Sequence, residues 1–154
     1  MPPRLTLGSV NALVASHFLI VPSALDRMST EALSQFLKVA RAIKGDLDLD
    51  IDLLGAVGTL SKANKLSARE QRSWDKIGEY CRSAWGDGRE YRITRTVPHK
   101  AKIAEAAGES IAYLSGGNDV QEIFSQLGAE IWERMFRGLP IEPVSDGSPQ
   151  EPHE

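Results

Sequence analysis

Three sets of residues in this 154-residue chain have side chains able to do chemistry: the histidines, the single cysteine and a series of spaced cations. His17, His99 and His153 do not fall at a metal-ligand spacing, and Ser16 beside His17 lacks the glycine-flanked turn of a nucleophile elbow. Each histidine therefore reads as structural or solvent-facing, and no catalytic residue and no metal site is expected. Cys81 falls on an apolar helical face with Trp74 and Trp85, which favours a core position over a reactive thiol. The glycine pairs Gly86-Asp87-Gly88 and Gly116-Gly117 are not followed by Lys-Ser/Thr, so they read as turns and not as a phosphate-binding loop. Arg69, Arg72 and Lys76 recur at three- and four-residue steps and so share one helix face.

That face lies in a basic window. From Lys62 to Lys102 there are eleven Lys/Arg against five Asp/Glu, a local +6 that leaves −9 for the rest of a chain of net charge −3. Two readings stand side by side: a solvated helix face with neighbouring ion pairs, or a surface turned to a polyanion. Arg92 and Arg95, on a predicted basic strand, would extend the second.

The elements that must position these residues follow from periodicity and punctuation. Residues 4–16 predict a helix, with Leu5, Val10, Leu13 and Val14 as its apolar stripe. The run 17–21, closed by Pro22, suits a buried parallel strand. A second helix opens at Ser29 or Thr30, carries Leu33, Phe36, Leu37, Ala40 and Ile43, and ends at Gly45. Residues 53–60 predict a second strand. Ser67 caps a third helix to about Ala84, with Trp74, Ile77, Cys81 and Trp85 on one face. Residues 91–97 read as a third strand ending at Pro98. A short helical turn over 102–107 and a final helix over 120–136, with Met135 inward, complete the ordered part. Pro, Ser, Gly and Glu dominate from Gly138 onward, predicting a disordered tail over 138–154. Strands alternating with helices imply an α/β domain: a partial doubly wound, Rossmann-like parallel sheet of about three strands with helices on both faces. Its first strand would have an open apolar edge, which calls for a protein partner or a homo-oligomer. There is no apolar run long enough to cross a membrane and no signal-peptide pattern, so a cytoplasmic protein is expected.

The segment Pro2-Pro3, Leu5, Asn11-Ala12-Leu13 and Leu19-Ile20-Val21-Pro22 resembles the stretch that follows the Walker B aspartate in ParA/Soj-type partition ATPases, relatives of MinD. Ala32-Leu33-Ser34-Gln35-Phe36-Leu37 and the Pro98–Ala106 segment resemble later parts of the same family. The resemblance implies a P-loop NTPase-like fold and makes residues 1–137 the C-terminal half of such a domain, without Walker A or the Walker B Asp. On its own such a half would not hydrolyse ATP, because the backbone amides, lysine and Mg²⁺ carboxylate that support phosphoryl transfer lie in the other half. ATP and Mg²⁺ belong to intact relatives, and no cofactor is expected for the half alone. The resemblance further implies that Thr59, Leu60, Val97, Pro98 and His99 rim the adenine of a bound nucleotide. Lys62 stands where the family usually has Asp, and His99 where it usually has Arg. Relatives bind DNA without sequence preference through basic residues in this region, which makes Arg69, Arg72, Lys76, Arg92 and Arg95 the candidate DNA contacts. The readings are thus a truncated ParA-like protein, a non-catalytic module that pairs with a full-length ATPase or another partner through the sheet edge, or a weak DNA-binding accessory.

Overall fold

The computed structural model describes residues 6–61, 65–86, 88–106 and 109–138. Pro2, Pro3, Leu5, Lys62 and the predicted tail beyond Gly138 lie outside them. The described elements are α1 (Leu7–Val14), β1 (Phe18–Ala24), α2 (Arg27–Asp46), β2 (Asp52–Ser61), α3 (Ala68–Trp85), β3 (Val97–Pro98), α4 (Ala101–Ala106), α5 (Ala112–Ser115) and α6 (Asn118–Arg137). The three strands form one parallel sheet in the order β1-β2-β3. This is the predicted α/β architecture.

Local chemistry fixes the helix starts. Asp26, not Ser29 or Thr30, caps α2: its carboxylate accepts from Ser29 N at 2.9 Å and from Ser29 Oγ at 2.9 Å. Ser67 caps α3 in a capping box, in which Glu70 returns a carboxylate oxygen to Ser67 N at 2.8 Å. α2 runs one residue past Gly45.

α2 and α3 lie side by side over one face of the sheet. Leu33, Leu37 and Ala40 from α2 and Trp74, Ile77, Cys81 and Trp85 from α3 meet Leu53 and Ala56 there, with Leu13 from α1. Burial pushes the Cys81 thiol up to about 12, so the thiolate is suppressed at neutral pH. Leu54 and Ile93 are fully buried outside this cluster, and α6 reaches the sheet there through Arg134, which donates to Leu54 O. Helices therefore flank both faces.

The sheet is thinner than its sequence suggests. In place of a third strand over 91–97, the ladder holds only at Val97–Pro98, with an isolated bridge between Ala56 and Arg92. The reason is a bulge in β2: Leu19 pairs with Leu53 but Ile20 with Gly55. Gly55 has φ +145, and a Cβ there would stand 2.3 Å from Tyr91 O. The backbone of 90–92 thus approaches β2 more closely than any side chain would allow. The carbonyls of Glu90 and Arg92 turn to Arg134 at 2.8 and 2.7 Å instead of continuing a ladder.

Two inward assignments are corrected. Val14 is 49% exposed and Met135 is also exposed. On α6 the inward position is Arg134, one residue earlier in the helical repeat.

Among the described residues β1 has a neighbour on one side only. Leu19 and Val21 pack on the main cluster. Strand alternation then places Phe18, Ile20 and Pro22 on the other face. Phe18 is 41% exposed there. Pro22, which cannot donate to a ladder, is a residue that sheets tolerate at an edge.

Candidate functional site

The carboxyl ends of parallel strands are where α/β sheets gather ligands. Here that end is built by a second irregularity in β2. Thr59 pairs with Val97 and Ser61 with Pro98, so Leu60 is left over as a bulge. Leu60 adopts φ +57, unusual for a residue with a branched side chain, and is 62% exposed. The bulge turns Leu60 out of the sheet beside Pro98. His99 N donates to Ser61 O at 2.9 Å, which fixes the turn out of β3. Beneath it, the fully buried Ser61 Oγ lies 3.4 Å from Thr96 Oγ1. Thr59, Leu60, Val97, Pro98 and His99 are thereby brought together on one rim, with Leu60 and His99 exposed.

The loop after this rim is clamped to α6. Lys100 Nζ lies 2.5 Å from Asp119 Oδ2, and Lys102 Nζ lies 3.9 Å from Asp119 Oδ1. The hydrogen bond from Lys100 holds the Asp119 carboxyl below its usual range. The α5–α6 corner beside it is equally close: a Cβ on Gly116 would meet Ala112 O at 2.6 Å.

The five candidate DNA cations do not form one surface. Arg69, Arg72 and Lys76 line a groove of about 270 Å³ between α2 and α3, together with Arg27, Glu31 and Tyr80. Arg92 lies against α3 at Gly78, away from that groove, and binds Asp75 at 2.9 Å and Glu90 at 2.7 Å. Burial raises the Glu90 carboxyl, but the hydrogen bonds from Arg92 outweigh it and leave the group below its usual range. Arg92 is thus a structural clamp between α3 and the segment before β3. Arg95 lines a separate cleft of about 630 Å³ with Thr94, Glu130, Glu133 and Arg137.

Sequence reasoning missed Arg134, the most buried cation described. A signal existed: Val120, Phe124, Leu127 and Ile131 repeat at three- and four-residue steps, and the next position in that repeat is Arg134. It also missed Arg27 on α2, which belongs to the basic groove only because α2 and α3 are neighbours in space.

No family model matches this chain. Among solved structures it is similar to apo McdA from Cyanthece, with a TM-score of 0.65 at 13% identity, over 80% of this chain. The two share a fold. The match covers 47% of the McdA chain, so this chain spans about half the length of that structure. The rim lies at the carboxyl ends of β2 and β3.

Proposed function

We propose that this chain is the base-binding half of a ParA-like nucleotide ATPase fold, and that it does not hydrolyse ATP by itself. The observation that supports this most is the rim: an exposed, left-handed Leu60 set beside Pro98 and His99 at the carboxyl ends of parallel strands. A backbone strained at such a place is characteristic of a ligand site. Leu60 and Pro98 offer apolar surface to a flat purine, and His99 offers a ring nitrogen to its edge. The phosphate cradle would come from a second element seated against the open edge of β1, which has Phe18 exposed beside it. In this reading the chain is completed by a partner, either a full-length ATPase or a chain that carries a phosphate-binding loop.

The test is a comparison of adenosine and ATP by ligand-observed NMR on the purified chain. Base contact alone predicts weak binding of both with similar affinity, since most anchoring of ATP comes from its phosphates. Leu60→Gly should weaken both equally. ATP bound far more tightly than adenosine, or hydrolysed, would overturn the reading.

A second reading, nucleic-acid binding, is favoured by the α2/α3 groove, where Arg69, Arg72 and Lys76 converge with Arg27. Phosphate contacts of that kind are sequence-independent and salt-sensitive. Retention on DNA at low salt that is unchanged by neutralising these residues would reject it.

A further inference from the structure

Away from the rim, cations outnumber acids along the seam between α2 and α3. On α2, Arg27, Glu31, Ser34, Lys38 and Arg41 recur at three- and four-residue steps and share one face. On α3, Arg69, Arg72, Lys76, Tyr80 and Ser83 do the same. The early residues of both helices enclose the 270 Å³ groove, and the late residues enclose a second of about 360 Å³. Tyr80 lines both, so the two grooves join into one track. Arg27 and Arg41 stand about 21 Å apart along α2 at 1.5 Å per residue.

The charge along this track is one-sided. Among the described residues Lys38, Arg69, Arg72 and Lys76 make no ion pair. Arg27 pairs with Glu31 at 3.0 Å, and Arg41 lies over the Trp85 ring at 5.9 Å. Glu31 is thus the one acid lining the track, and it is already matched. Asp26 is held at the α2 cap by Ser29 and also feels the charge of Arg69.

We propose that this track binds the backbone of a single-stranded nucleic acid, with phosphates on the two cation stripes and a base stacked on Tyr80. The proposal rests on the nucleic-acid reading above and adds Lys38, Arg41 and Tyr80 to it. The form of the surface selects the ligand. The cations sit in a cleft between two helices, which a single strand can enter and a duplex meets only at the ridges. Ser34, Ser73 and Ser83 supply hydroxyl donors to phosphate oxygens along the same cleft. Tyr80, at the join, packs against the core cluster and keeps part of its side chain at the surface, where single-strand sites place aromatics. An acidic peptide would match the cations but leave that ring without a use.

The experiment is fluorescence anisotropy on the full chain at low salt, with a labelled oligothymidine, a duplex of equal length and poly-glutamate as probes. The expected result is single-strand binding that is tighter than duplex binding and falls steeply with salt. Lys38→Glu with Arg41→Glu, both at exposed positions, should weaken the single strand by about tenfold or more. Tyr80→Leu, which keeps apolar bulk under the seam, should weaken it by about tenfold. Duplex binding as tight as single-strand binding would overturn the proposal. So would poly-glutamate binding as tight as the single strand, which would point to an acidic protein partner. If Arg72→Glu abolishes binding while the Lys38/Arg41 pair has no effect, the nucleic-acid reading survives on α3 and the track is rejected. Binding to no nucleic acid rejects both.

Discussion

Arg134 is 4% exposed, and all five of its N–H donors are used. Nη1 donates to Leu54 O at 3.0 Å and Glu90 O at 2.8 Å, and Nη2 to Arg92 O at 2.7 Å. Nε and Nη2 share Glu130 Oε1 at 3.2 and 2.9 Å. The Leu54 carbonyl is released by the bulge at Gly55, and the other two come from the segment that fails to form a strand. One guanidinium thus replaces several rungs of ladder. A buried charge held this way contributes little against an apolar substitute that removes every partner, but removing it alone strands its partners. Arg134→Met keeps the volume and loses the donors. It should cost roughly 3–5 kcal/mol, read as a lowered urea midpoint. A change below about 1 kcal/mol would mean that the carbonyls find other donors.

At the scale of elements, the caps decide where helices begin, and α2 depends on Asp26. Hydrogen bonds from Ser29, backbone first and then side chain, hold the Asp26 carboxyl below its ordinary value of 3.8. A depressed folded value means that the charged cap stabilises the fold above pH 3.8 and is lost as pH falls through the folded value. Asp26→Ala should therefore destabilise by about 1 kcal/mol at neutral pH. The difference from wild type should shrink when urea unfolding is repeated in acid below that range. An equal penalty at both pH values would show that the carboxylate charge is not what stabilises α2. The Leu60 bulge acts at the same scale. It terminates the orderly part of β2 and sets the rim one residue off the strand's alternation.

At the scale of the whole molecule, the sheet is covered unevenly. α2 and α3 seal one face and α6 contacts β2, while among the described residues β1 has a strand neighbour on one side alone, with Phe18 and Pro22 exposed. Edge strands of this kind pair with other chains unless charge or proline blocks them. Pro22 removes one donor from the strand but leaves the N-terminal half of β1 able to pair. The chain should self-associate with rising concentration by size-exclusion chromatography with light scattering. Phe18→Lys should shift it toward monomer without loss of helical circular dichroism. A wild-type chain that stays monomeric at high concentration would show that the edge needs no cover.

Much of this was legible in sequence because it depends on near neighbours. The Ser67–Glu70 box, the apolar repeats of α2 and α3 and the runs that became β1 and β2 are local patterns. Parallel pairing then follows from the alternation of strands and helices. The resemblance named Thr59, Leu60, Val97, Pro98 and His99 as an adenine rim, and the β2–β3 register sets Thr59 beside Val97 and Ser61 beside Pro98. What sequence could not supply depends on which segments come together in space. The bulge at Gly55 admits the close approach of Tyr91 O from a segment far along the chain, and the third strand holds for two residues only. Arg134 looks like a surface cation until three carbonyls from distant segments surround it. Arg27, Lys38 and Arg41 join Arg69, Arg72 and Lys76 only when α2 packs beside α3. Periodicity reports which face of an element a residue occupies, and only tertiary packing decides what that face meets.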